Sequence, residues 1–149
     1  MSKLFVNQVN NGLLNSWASL LDWFFDDDKF DGWTPYLLGR YTKRLKKMPG
    51  IGKNNYQCDA IKNLSFPKRI TKQKIKVLSG RHSGEAKDWV RHIRNGIAHG
   101  KTRTIKEPDE LWIEIKDYNK SGDQTAYMYF PISCIFKTFE IYKEIDKQK

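Results

Sequence analysis

The sequence predicts a mainly α-helical bundle with one β-hairpin inserted before the last helix. Three observations lead there. Apolar residues recur at helical spacing in four segments, one pair of strand-like runs flanks a tight turn, and 149 residues with 39% hydrophobic content are enough for a single domain with a real core.

The first helix is expected from about Lys3 to Phe25, where Leu4, Phe5, Val9, Leu13, Trp17, Leu20, Leu21 and Phe24 fall at helical spacing and the acidic DDDKFDG turn follows. Thr34-Pro35 reads as the start of a second helix, with Thr34 as cap and Pro35 at a position whose missing N–H costs nothing. Leu38, Tyr41, Leu45 and Met48 mark its buried stripe, and Pro49-Gly50 ends it. Residues 51–84 predict a short helix near Asn55–Leu64, a turn at SFPKRI, and a helix or extended piece through Thr71–Leu78. Ser83 reads as the N-cap of the next helix, Glu85 suits the positive end of its dipole, and the helix runs to His99. LWIEIKDY (111–118) and QTAYMYF (124–130), rich in β-branched and aromatic residues around NKSGD, predict the hairpin, about 111–130. Pro131 then opens a last helix, about 131–146, with an apolar stripe of Ile132, Ile135, Phe136, Phe139, Tyr142 and Ile145.

The formal net charge is +10, and it is unevenly placed. Residues 1–33 carry −3, residues 34–106 carry +16, and residues 107–149 carry −3. Dispersed solubilising charge does not segregate in this way, so the central third reads as a polyanion-binding surface. Within it Arg40, Lys43, Arg44 and Lys47 recur at i, i+3, i+4 and i+7 and form one cationic stripe. The first residues lack the apolar run of a signal peptide, and no stretch reaches the roughly 18 apolar residues of a membrane span, so a soluble cytoplasmic protein without membrane partners is expected. Cys58 and Cys134 have no CxxC partner and read as reduced thiols. His92 and His99, seven residues and about 10.5 Å apart on a helix, are too distant to share a metal ion, and no metal or cofactor is expected.

The segment RHIRNGIAHG (91–100) concentrates groups that bind phosphate and move protons near neutral pH. On a helical wheel Trp89, Val90, Ile93 and Ile97 form the core arc, Arg94 sits at its edge, and Arg91, Asn95, His99 and His92 follow on the opposite arc. Gly96 costs roughly 1 kcal/mol inside a helix, which implies a close approach by another backbone or a partner helix. From spacing alone two readings stand: a working polar group, or a local arrangement in which His99 caps the last carbonyls, Arg94 pairs with a carboxylate and Asn95 is satisfied nearby.

The pattern Arg94-Asn95-x-x-x-His99, near the C-terminal end of a helix in a small basic domain, resembles the signature of the HEPN superfamily. The hairpin followed by a last amphipathic helix also resembles a plasmid- and phage-associated branch of it. The resemblance implies an HEPN-like helical bundle over residues 1–149. It also implies a metal-independent endoribonuclease, commonly a toxin or anti-phage effector, working as a dimer with two motifs facing each other. Arg94 and His99 would be the catalytic pair and Asn95 the polar orienter. Some HEPN toxins carry a tyrosine two residues after the histidine that a partner antitoxin modifies; here that position is Lys101.

Cutting RNA at its own 2′-hydroxyl needs a base, a cation for the charged phosphorane and an acid for the leaving 5′-oxygen. One motif offers one histidine, so either a second copy supplies its own His99 or His92 serves in the same chain; the second copy is favoured, with Gly96 at the dimer contact, because His92 lies seven residues from His99. Arg91, Arg103, the Arg40–Lys47 stripe and, peripherally, His92 would hold the RNA backbone. A cognate antitoxin or regulatory protein is a further expected partner. The alternatives are a non-catalytic HEPN-like module that binds RNA or nucleotides, and a protein-interaction adaptor.

Overall fold

The computed structural model describes residues 11–51, 55–68, 75–81 and 85–149. Helix α1 spans Asn11–Phe24 and α2 spans Pro35–Lys46. The start signal of α2 works as read, since Thr34 Oγ1 accepts the Leu37 N–H at 3.2 Å and Pro35 lies in the first turn. Leu37, Tyr41 and Leu45 are buried along it. The part of the first expected helix before Asn11 and the cap at Ser83 lie outside the described residues.

A five-stranded mixed sheet overturns the expected helical bundle. Among the described residues four α-helices accompany the five strands, an α/β fold. Strands β1 (Tyr56–Asp59), β2 (Lys76–Gly80), β3 (Thr102–Lys106), β4 (Leu111–Tyr118) and β5 (Gln124–Pro131) lie in the order β1-β2-β5-β4-β3. The β1–β2 pair is parallel and the other pairs are antiparallel. The short helix expected near Asn55–Leu64 is instead β1 and one 3-10 turn, Ile61–Asn63. Strands β1, β2 and β3 are four or five residues long, too short for a period to declare itself, and β2 (KVLSG) is buried at four successive positions rather than in alternation.

The segments 111–118 and 124–130 do pair around NKSGD, where Asn119 N–H donates to Asp123 O at 2.9 Å and Gly122 has φ +87°. They are not an insertion, because β5 also pairs with β2 and the hairpin forms the middle of the sheet. Pro131 sits opposite Trp112 at the end of β5, so the last helix, α4 (Ser133–Asp146), opens two residues later than expected.

Helix α3 (Glu85–Ala98) lies on the sheet against β2 and β4 and also touches α1 and α2. Trp89, fully buried, ties these layers together. Its ring stacks on Tyr56 at 5.6 Å and lies 5.8 Å from Phe130, and its Nε1–H donates to Thr138 Oγ1 of α4 at 3.1 Å. The acidic turn after α1 is pinned to α4: Trp33 stacks on Tyr142 at 5.1 Å and donates to Asp146 at 2.7 Å, and the Tyr142 hydroxyl donates to Lys29 O. Among the described residues no helix is long and apolar enough to cross a membrane.

Gly96 is where α3 meets β4. A Cβ there would stand 2.4 Å from Ile115 Cγ2 and 3.2 Å from the Lys116 carbonyl oxygen, both of the same chain. This corrects the reading of Gly96 as a dimer contact: the close partner is the sheet. Gly96→Ala gains up to about 1 kcal/mol of helix propensity but overpacks a filled site by about 1–3 kcal/mol. Thermal melting is therefore expected to fall for Gly96→Ala and to rise for Gly39→Ala, whose added methyl in α2 meets nothing within 4 Å.

Candidate functional site

Helix α3 buries Trp89, Val90, Ile93 and Ile97 as read, but also Asp88, His92 and Gly96. His92 is fully buried, and its Nδ1–H donates to Asp117 Oδ2 of β4 at 2.7 Å. Its Nε2 lies 3.1 Å from the Gly80 carbonyl oxygen of β2. A peripheral phosphate contact through His92 is thus not what the geometry offers; the ring braces the interior.

Asp117 is the hub. Besides His92, it accepts a hydrogen bond from Asn95 Nδ2 at 3.2 Å and, through Oδ1, from the Tyr118 N–H at 2.9 Å. Burial pushes its carboxyl up, yet the hydrogen bonds from His92 and Asn95, the attraction of His92 and the Tyr118 N–H outweigh this and hold it below the ordinary 3.8. Asn95 Oδ1 in turn accepts from Arg94 Nη1 at 3.2 Å. The guanidinium of Arg94 lies 5.0 Å from the Phe25 ring at the end of α1. A chain of contacts therefore runs from the buried His92–Asp117 pair to a half-buried arginine.

His99 is exposed and closes the helix. Gly100, with φ +65°, follows it, and the bonds Lys101 N–H to Gly96 O (2.8 Å) and Gly100 N–H to Ile97 O (3.2 Å) form a Schellman cap. The backbone thus satisfies the last carbonyls, and the imidazole has no hydrogen-bond partner among the described residues.

Beside Arg94 and Asn95 opens a cleft of about 530 Å³ that also draws on Lys29, Lys87 and Arg91, with Asp27 and Asp31 as the acidic members. Burial lowers the pKa of Lys29 and the charge of Arg94 lowers it further, against Asp26 and Asp27. Arg91 is held by Asp88 at 2.9 Å.

The other expected RNA contacts are dispersed. Arg44 pairs with Glu144 of α4 at 2.7 Å and Arg40 donates to Gln148, while Lys43 and Lys47 are exposed. Half of that stripe therefore joins α2 to the C-terminal end of the chain. Arg103 pairs with Glu114 at 3.3 Å. Ile115 faces α3, so its neighbour Glu114, and Arg103 opposite it, belong to the other face of the sheet.

A family model described as HEPN pEK499 p136 matches residues 36–149. The chain belongs to this HEPN family. No curated protein and no solved structure matches it. The HEPN match takes in α3 with Arg94, Asn95 and His99 as well as Asp117, and leaves Phe25 and Lys29 outside.

Asp117 carries a signal in the sequence. Period-two alternation puts it on the same face of its strand as Ile113 and Ile115, and an acid in an apolar row signals a buried partner. Phe25 and Lys29, in the turn after α1, carry no local signal that links them to residue 94.

Removing the Asp117 carboxylate strands buried His92 and Asn95, so Asp117→Ala is expected to lose about 3–5 kcal/mol in denaturant unfolding at neutral pH. Because the folded-state pKa is lowered, the stabilisation is complete above the ordinary 3.8 and is lost as pH falls through the lower folded value. The gap between wild type and Asp117→Asn should accordingly narrow in acid.

Proposed function

We propose that this HEPN domain is a metal-independent endoribonuclease. What carries the reading is Arg94, held through Asn95 by the Asp117 carboxylate, on the same helix as an exposed His99 in a chain of this family. Neutral His99 takes the proton of an RNA 2′-hydroxyl. The 2′-oxygen forms a bond to phosphorus while the bond from phosphorus to the 5′-oxygen breaks, and the leaving oxygen takes a proton from a second acid. Arg94 donates to the phosphate oxygens as charge grows on them. The products are a 2′,3′-cyclic phosphate and a 5′-hydroxyl.

Two features support a second copy as the source of the acid. His92 is buried against Asp117 and out of reach of solvent. Arg94 and His99 are five residues apart, hence separated by about 140° around one helix, and two facing motifs would bring the arginine of one copy to the histidine of the other. The contact between copies is then made by the exposed end of α3 and not by Gly96. A toxin or anti-phage effector, cytoplasmic and restrained by an antitoxin or regulatory protein, is the biological setting that fits such an enzyme.

The imidazole of His99, without a hydrogen-bond partner among the described residues, favours one competing reading, a module that binds RNA without cutting it. Incubation of the chain with RNA in EDTA separates the two. Cleavage is expected, with a loss of roughly 10²–10⁴-fold for His99→Ala and roughly 10²–10³-fold for Arg94→Ala. Full activity in either variant, or activity that EDTA abolishes, defeats the assignment; binding without turnover in wild type establishes the module.

A further inference from the structure

Among the described residues the exposed large hydrophobic side chains are Phe25 (41%), Tyr36 (70%) and Tyr118 (37%). Each carries a cation near its ring: Arg94 at 5.0 Å from Phe25, Arg40 at 5.9 Å from Tyr36 and Lys101 at 5.8 Å from Tyr118. Two of the three pairs sit at the Arg94–His99 segment. Phe25 reaches it from the residue just after α1, its N–H bonded to Leu21 O. Tyr118 reaches it from β4, next to the Asp117 that holds Asn95, and its cation Lys101 lies two residues past His99. The strand register shifts between Asp117 and Tyr118, an irregularity of the kind that re-aims a side chain beside a site.

An exposed ring with a guanidinium or ammonium against it suits one kind of ligand. The ring offers an apolar face, and the cation offers N–H donors to an anion a few ångströms away. An unpaired nucleobase with its phosphate has both halves of that chemistry. We propose that Phe25 and Tyr118 are base-stacking positions that receive the unpaired nucleobases flanking the phosphate bound by Arg94. The placement of that phosphate rests on the function proposed above, whereas the stacking itself is read in binding. Paired bases in a duplex stay in their own stack and cannot use either ring, so the ligand is a single-stranded segment. Tyr36 with Arg40, on α2, is the same pairing away from the motif and serves as the internal control.

The test uses the full chain carrying His99→Ala and a labelled single-stranded oligoribonucleotide with every 2′-hydroxyl methylated, which cannot be cleaved. Phe25→Leu and Tyr118→Leu are each expected to weaken binding by roughly 5- to 150-fold, with affinity restored in Phe25→Tyr and Tyr118→Phe and unchanged in Tyr36→Leu. An abasic oligomer of equal length and charge is expected to bind the His99→Ala parent and its Phe25→Leu derivative alike. Equal binding of the leucine variants and the parent, an equal loss in Tyr36→Leu, undiminished affinity for the abasic oligomer, or no binding at all overturns the proposal. Cleavage assays on the histidine-containing chain keep the two ideas apart: failure to cut with ring-dependent binding removes the ribonuclease alone, and cutting without ring dependence removes the stacking positions alone.

Discussion

The contact between Gly96 and Ile115 sets the geometry on which the site depends. Without a side chain at 96, α3 can approach β4 until a Cβ would overlap Ile115. That approach brings the turn preceding Gly96 within reach of the strand, so His92 and Asn95, three residues apart on the helix, share the carboxylate of Asp117. A helix held farther from the sheet by one methyl group would stretch both bonds. The cost of a glycine in mid-helix is offset by a buried polar cluster whose members all have partners.

From that cluster outward the side chains grade from structural to available. His92 and Asp117 are buried, Asn95 and Arg94 are half-buried, and His99 and Lys101 are exposed. Fixing an arginine through an amide and a carboxylate narrows its rotamers before any ligand arrives, and such preorganisation is what the proposed role of Arg94 would draw on. The cleft that begins at Arg94 continues the same logic, with Lys29 and Lys87 adding positive charge from two different elements.

Much of this could be read in the chain. The cap at Thr34, the hairpin strands and the apolar arc of α3 follow from local rules, because capping, tight turns and periodicity act over a few residues. The sheet did not show itself, since its three other strands are four or five residues long and gain their identity from neighbours far away in sequence. A helical wheel assumes one buried side and so puts His92 on an open face. Helix α3 lies between the sheet and two other helices and is buried around a wider arc.

By itself the sequence determined the motif Arg94-Asn95-x-x-x-His99, its place at the end of a helix, and the concentration of positive charge in the middle of the chain. Spacing along a helix and composition are local quantities, and they survive any arrangement of the rest. Only the tertiary structure decided that Gly96 faces Ile115, that Asp117 holds Asn95, that Phe25 lies under Arg94, and that the basic residues divide among separate surfaces. Those relations join positions 19, 22 or 69 residues apart or divide residues among separate surfaces. They depend on which faces of helix and strand the core brings together, and no spacing within one segment carries that information.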